Sequence, residues 1–121
     1  YLSIPQTPET KNLINHKRLD LLKPSCGIVN IGRQSAMDYD ALCEKLKKKE
    51  IAGAILDVFT PEPIEPNSNF WDTPNLIITP HVSADDGESY VRLTLDLFIK
   101  NLQLFISNKK LVNQIDKGFG Y

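Results

Sequence analysis

The stretch that most constrains this chain runs from Ala52 to Pro63, AGAILDVFTPEP. Small residues, Ala52, Gly53 and Ala54, lead into an apolar run through Ile55, Leu56, Val58 and Phe59, which breaks at Thr60-Pro61-Glu62-Pro63. A short apolar run bounded by turn residues reads as a strand buried on both faces, as in a parallel sheet. Asp57 is the anomaly within it, because a carboxylate near the end of a buried strand is costly unless something there uses it. Glu62 is the second anomaly, since the flanking prolines fix backbone φ and limit how far it can swing. The stretch is therefore expected to be a strand whose carboxyl end opens into a site.

The rest of the chain supplies similar units. Tyr1 to Ile4 reads as the end of a strand stopped by Pro5, so the sequence starts inside a sheet and is expected to be a piece of a longer chain. Asn15 caps a short helix through about Leu22, with Leu19 and Leu22 on one face. Gly27 to Ile31 is a second buried strand. Asp38 starts a helix to about Lys49, with Leu42 and Leu46 facing inward and Glu44 placed to pair with Lys48. With the Ala52 strand this makes a βαβ unit. The connection from Thr60 to Asn75 is long enough that it should have a job or cover something. Leu76 to Thr79 is a further strand, cut by Pro80 and followed at once by His81. A long helix should start near Asp85 or Asp86 and reach about Ser107, apolar over enough of its surface to need more than one neighbour.

Bulk properties exclude several classes. The 121 residues suit one small domain, and a formal net charge of -1 gives no electrostatic case for nucleic acid or an acidic membrane. No apolar run approaches the ~20 residues that span a bilayer. Lys47, Lys48 and Lys49 read as a solvated helix end. Cys26 and Cys43 have no metal-type spacing and read as reduced, cytoplasmic thiols, so no metal site is expected.

Each strand ends at a conspicuous group: Pro5, then Arg33, then Asp57 leading to Glu62, then His81. Ligands of open parallel α/β sheets bind outside the carboxyl ends of the strands. Taken singly, Arg33 reads as a surface arginine, His81 as a satisfied histidine and Glu62 as a solvated acid; together they read as a site. Arg offers a planar fork for a carboxylate. His passes a proton near neutral pH. A Glu beside it favours its protonated form and fixes the ring. The substrate this suits is a small acid with a carbonyl or hydroxyl next to its carboxylate. Reducing such a carbonyl also needs a hydride source, which no side chain supplies.

The segments NLINHKRLDLLKP, IVNIGR, IAGAILDVFTPEP, FWDTPNLIITPHVSA and VNQIDKGFGY resemble the D-isomer-specific 2-hydroxyacid dehydrogenases, in order and over essentially the whole chain. The resemblance implies an α/β fold: the C-terminal half of a doubly wound, Rossmann-like parallel sheet with a long C-terminal helix. Residues 1–107 would be half of a dinucleotide-binding domain and residues 108–121 a tail returning toward a substrate domain absent from this chain. It implies Arg33, Glu62 and His81 as catalytic residues, with Arg33 binding the substrate carboxylate and Glu62 pairing with His81. Asp57 matches the aspartate that contacts the nicotinamide carboxamide. Ile4, Pro5, Ile31, Gly32, Arg33, His81, Ser83 and Ala84 match the other cofactor-lining positions. The implied cofactor is NAD or NADP, the substrate glyoxylate, hydroxypyruvate or a similar 2-oxo acid, and the complete enzyme a cytoplasmic homodimer.

The chain departs from the family at Gly32-Arg33-Gln34, where a glycine commonly follows the arginine. It also lacks the G-x-G-x-x-G phosphate loop and the acid that reads the adenosine ribose, so this piece alone is expected to be inactive. A dinucleotide-sensing corepressor of the same fold, or a half-domain with no function of its own, are the competing readings. Formate dehydrogenases fit less well because they carry Gln where Glu62 stands.

Overall fold

A computed structural model describes Tyr1 to Phe119; Gly120 and Tyr121, the end of the expected returning tail, lie outside the described residues. The chain forms two compact units, Tyr1–Ser83 and Ala84–Tyr121.

The first unit is built on three parallel strands, β1 (Gly27–Asn30), β2 (Gly53–Leu56) and β3 (Leu76–Ile78), hydrogen-bonded in the order β1-β2-β3. Gly27 pairs with Gly53 and Asn30 with Leu56; Ala54 pairs with Leu76 and Leu56 with Ile78. The segment before Pro5 joins the sheet only through a single parallel bridge between Leu2 and Asn30, rather than as a full strand.

Two helices pack against this sheet. In α1 (His16–Leu19) the Asn15 side chain accepts the Arg18 amide, and in α2 (Tyr39–Lys47) the Asp38 side chain accepts the Ala41 amide at 3.0 Å, so both expected caps form. Helical spacing sends Leu42 and Leu46 inward, where they are fully buried with Leu19, Ile28, Ala54 and Leu56. Each such leucine contributes roughly 1.5–3 kcal/mol by leaving water. α2 stops at Lys47, two residues earlier than expected. The chain closes there through Lys49 at φ 59°, with the Glu50 amide donating to the Lys45 carbonyl and the Lys49 amide to the Leu46 carbonyl. Lys45 reaches Asp20 at 2.7 Å and Glu50 at 2.9 Å, tying the end of α1 to both ends of this turn. The expected Glu44–Lys48 pair is present at 3.9 Å on the solvent face.

Burial corrects one expectation. The β2 run reads as buried on both faces, yet Ile55 is 37% and Ile77 58% exposed. One sheet face carries α2; the other presents Val29, Ile55 and Ile77 outward. Strand β2 also ends at Leu56, so Asp57 sits one residue beyond the ladder. The long connection after it covers the core edge: Phe70 packs on Phe59 at 5.4 Å and edge-on against Tyr39 at 5.9 Å between ring centroids.

In the second unit, α3 (Tyr90–Ile106) begins four residues later than the nearer of its two expected starts. The Asp86 carboxylate accepts the amides of Glu88 at 3.1 Å and Ser89 at 3.2 Å, as well as the Ser89 hydroxyl, and this side-chain turn delays the first helical residue to Tyr90. None of the residues of α3 is buried. The following segment folds back on it through Asn101, whose amide group donates to the Val112 carbonyl and accepts the Val112 amide at 2.9 Å.

Candidate active site

The parallel register places the residues after β1, β2 and β3 along one carboxyl edge of the sheet. Arg33 follows β1, Asp57 follows β2 and His81 follows β3.

Glu62 and His81 are brought into direct contact, with His81 Nδ1 2.9 Å from Glu62 Oε2. The other oxygen of Glu62 accepts the Phe59 amide at 2.6 Å. The hydrogen bond from His81, and then that from Phe59, hold the Glu62 carboxyl below its ordinary value. An ionised carboxylate only accepts, so the hydrogen in this contact sits on Nδ1 and Nε2 is the nitrogen left to act. Both side chains remain partly open to solvent, at 48% for His81 and 36% for Glu62. Beside the pair lies a cavity of about 360 Å³ whose walls are mainly apolar: Phe59, Pro63, Ile64, Trp71, Ile78 and Pro80. Trp71 is oriented there by its indole N–H, which donates to the Glu65 carbonyl at 2.9 Å.

Asp57 is 1% exposed. Its Oδ1 accepts the Thr79 hydroxyl and the Val82 amide, and its Oδ2 accepts the Ser83 amide. Burial alone would raise the Asp57 carboxyl; the donors from Thr79, Ser83 and the two amides outweigh it and hold the group well below the usual carboxylate range. Between these donors His81 adopts φ 57°, the left-handed region.

Arg33 stands at the same edge, exposed, with extended backbone; its Nη1 donates to the Gly32 carbonyl at 2.7 Å. No carboxylate among the described residues pairs with it, and it makes no direct hydrogen bond to Glu62 or His81. Its loop is nevertheless tied to theirs by a buried relay. Asn30, fully buried at the end of β1, donates to the Arg33 carbonyl at 3.1 Å and to the Tyr39 hydroxyl at 3.0 Å, and accepts the Gly32 amide at 3.0 Å. Tyr39 donates in turn to the Val58 carbonyl at 3.0 Å. The Phe59 amide on the far side of that peptide holds Glu62. Burial pushes the Tyr39 phenol up, so it stays a donor. Sequence reading passed over Asn30 and Tyr39. Asn30 carried a usable signal, a polar residue inside the apolar run GIVNI; Tyr39 carried none, because a tyrosine on a helix reads as ordinary core.

Of the positions matched to cofactor lining, Ile4 and Gly32 meet. A Cβ on Gly32 would lie 2.7 Å from the Ile4 carbonyl oxygen and 2.9 Å from its nitrogen, so only glycine permits the approach. Ile31 donates its amide to Leu2 at 2.9 Å, which sets Pro5 near the same loop. Ser83 closes the first unit on Asp57, and Ala84 opens the second. The described residues hold no group of three or more His, Cys, Asp or Glu placed to bind a metal ion, and no helix among them is long and apolar enough to cross a membrane.

Glyoxylate/hydroxypyruvate reductase B of Pectobacterium carotovorum is 42% identical over 73% of this chain and 28% of its own length. D-3-phosphoglycerate dehydrogenase of Synechocystis is 38% identical over 93% of this chain and 20% of its own. The solved D-isomer specific 2-hydroxyacid dehydrogenase of Xanthobacter autotrophicus, in complex with NADPH and MES, superposes with a TM-score of 0.89 at 32% identity, over 98% of this chain and 48% of that one. The chain thus spans less than half the length of these proteins. Residues 1–83 match the NAD binding domain of the D-isomer specific 2-hydroxyacid dehydrogenases, and the chain belongs to that family.

Proposed function

We propose that the protein carrying this chain is an NAD(P)-dependent 2-hydroxyacid dehydrogenase, a cytoplasmic homodimer acting on glyoxylate, hydroxypyruvate or a similar small 2-oxo acid. The Glu62–His81 contact at 2.9 Å carries this reading, because it leaves one imidazole nitrogen aimed away from a fixed carboxylate. In the direction of reduction, His81 Nε2 gives its proton to the substrate oxygen as it becomes an alkoxide; in oxidation it takes that proton back. Glu62 holds Nδ1–H throughout and balances the imidazolium charge. The guanidinium of Arg33, which pairs with no carboxylate among the described residues, grips the substrate carboxylate in two places. Glyoxylate and hydroxypyruvate are the choice of substrate supported by the reductase relative.

A nicotinamide cofactor supplies the hydride when bound. The residues proposed for its nicotinamide end are Ile4, Pro5, Ile31, Gly32, Arg33, Asp57, His81, Ser83 and Ala84; the exposed Arg33 and the half-open His81 ring are accessible to it, while Gly32 lets the Ile4 backbone close on the loop that carries Arg33. The phosphate end finds no counterpart in the 121 residues, which contain no G-x-G-x-x-G. We therefore read residues 1–107 as half of a dinucleotide-binding domain and residues 108–121 as a tail leading to the substrate domain, and the chain by itself as inactive. The free thiols of Cys26 and Cys43 support a reducing compartment.

Steady-state reduction of glyoxylate by the complete enzyme tests the assignment. His81→Ala should lower turnover by roughly 10²–10⁴-fold, the worth of a positioned general acid. Arg33→Ala should act mainly by raising KM for the 2-oxo acid. Near-normal turnover in His81→Ala would overturn the proton-donor role.

A further inference from the structure

We infer that Asp57 is a positioning residue for His81: its carboxylate gathers donors from both sides of that residue and holds it in the left-handed backbone conformation that presents the ring to Glu62. The inference rests on the reading of His81 as the proton donor and extends it to the residue that sets its geometry.

Three observations meet here. The donors that Asp57 binds are not scattered. Thr79 lies two residues before His81, Val82 one after it and Ser83 two after it, and their bonds to Asp57 span 22, 25 and 26 residues of chain. Two successive amides converging on one carboxylate form the kind of concavity that holds anions elsewhere. Secondly, His81 has φ 57°. Side chains rarely adopt that region, and a residue stays there only when its surroundings over-determine it. The Thr79 amide is fixed on one side by the Leu56 carbonyl at 3.0 Å, which continues the β2–β3 ladder. Beyond Pro80 no ladder remains, and the Asp57 bonds are what hold the chain on the other side. Thirdly, the ring bond to Glu62 depends on where the Cα–Cβ bond of His81 points. If residue 81 relaxed to an ordinary negative φ, that bond would rotate relative to β3 and carry Nδ1 away from Glu62 Oε2.

This gives the buried charge a use within the protein. A carboxylate with 1% exposure is costly unless paired or hydrogen-bonded, and here the donors flanking His81 satisfy it. The role differs from a contact to the nicotinamide carboxamide in one testable way, since it operates before any cofactor binds.

The experiment uses the protein without cofactor, labelled with ¹⁵N. Long-range imidazole correlations report the tautomer of His81, and hydrogen exchange reports the Val82 and Ser83 amides. Asp57→Asn keeps the side-chain size but turns one acceptor into a donor facing those amides; Thr79→Val removes one donor and keeps the carboxylate. Circular dichroism checks that each variant is folded. Asp57→Asn should speed exchange of the Val82 and Ser83 amides by about 10-fold or more, and His81 should lose its fixed Nδ1–H tautomer. Thr79→Val should shift both readouts in the same direction by less. In the complete enzyme Asp57→Asn should lower kcat by roughly 10–100-fold. The inference is overturned if the His81 tautomer and amide protection survive Asp57→Asn, which would leave Asp57 with no part in setting His81. Should Asp57→Asn fail to fold, Thr79→Val decides: unchanged tautomer and exchange would overturn the inference. Failure of the proton-donor reading shows up separately, as His81→Ala with normal turnover alongside an intact Asp57 signature.

Discussion

Residues 1–83 and 84–121 use apolar residues at similar spacings and reach opposite outcomes. In α2, leucines four apart meet β1 and β2 and are fully buried. In α3, Leu93 and Leu97 are also four apart, yet they are 56% and 36% exposed, and Phe98 and Phe105 are 61% and 69% exposed. The difference lies in what the periodicity has to face. A sheet lies beside α2; within its own unit α3 is met by the short segment that Asn101 pins to it, and Leu104, Leu111 and Val112 are half-buried there. An amphipathic pattern specifies that a face will be apolar; it does not specify the partner. Polar chemistry is segregated in the same way. Every hydrogen bond among Arg33, Glu62, His81, Asp57 and their supports lies within the first unit, so that unit needs a rigid core in a way the second does not.

The sharpest way to break this contrast is a pair of truncations. Leu46→Ala should cost roughly 2–5 kcal/mol in denaturant unfolding, the usual range for a buried leucine. Leu95→Ala on α3, 53% exposed, should stay within about 0.5 kcal/mol. If Leu95→Ala matched Leu46→Ala, α3 would be buried in solution, and sedimentation velocity would then report a species heavier than the monomer.

Acid should weaken the Asp57 and Glu62 cluster of the first unit. Asp57 and Glu62 are both held below their ordinary values in the folded chain. Their stabilisation is complete above about pH 6, where the unfolded carboxyls are fully ionised. It is lost as pH falls further, through their lower folded-state values, because the unfolded chain then binds protons that the folded chain refuses. Thermal melts between neutral pH and about pH 3 should show this loss. Asp57→Asn should flatten the dependence. A melting point unchanged by acid would mean that the Asp57 cluster contributes nothing to stability.

Tyr39→Phe addresses the relay between the Arg33 loop and Glu62. It removes a hydroxyl that donates to Val58 and accepts from Asn30, leaving a buried carbonyl and one amide hydrogen unmatched. The expected cost is about 1–3 kcal/mol. KM for the 2-oxo acid should rise with it in the complete enzyme, since Arg33 is held through Asn30. A stability loss with KM unchanged would confine Tyr39 to structure.

The relay also shows where sequence reading reaches its limit. Asp57 and Glu62 were legible because a carboxylate in or beside an apolar run contradicts its surroundings. Asn15 and Asp38 were legible because capping is local, decided within three residues. The parallel sheet was legible in outline from strand, helix and strand in turn. What escaped were choices made across the fold. The partners of Asp57 lie 22 to 26 residues away, and Tyr39 finds Val58 only once α2 lies on the sheet. The open side of β2 escaped for the same reason: Ile55 reads like Leu56, and only the absence of a covering layer separates them.

The smallest effect tests whether the first unit is strained where its helix closes. Lys49 adopts φ 59° to end α2, with the Glu50 amide on the Lys45 carbonyl and the Lys49 amide on the Leu46 carbonyl. Helices commonly close this way on glycine, which meets no Cβ penalty in that region. Lysine pays it, at about 1 kcal/mol. Lys49→Gly should remove that cost while keeping both closing bonds, since they come from the backbone. Against this, glycine gains freedom in the unfolded chain, which offsets part of the benefit. The net expectation is a gain of a few tenths of a kcal/mol, on the order of 0.5 at most, read as a raised denaturant midpoint at unchanged slope. The Lys45 contacts to Asp20 and Glu50 hang on the same turn. A loss of stability in Lys49→Gly would therefore mean that the lysine side chain, rather than the backbone, holds the turn that leads into β2.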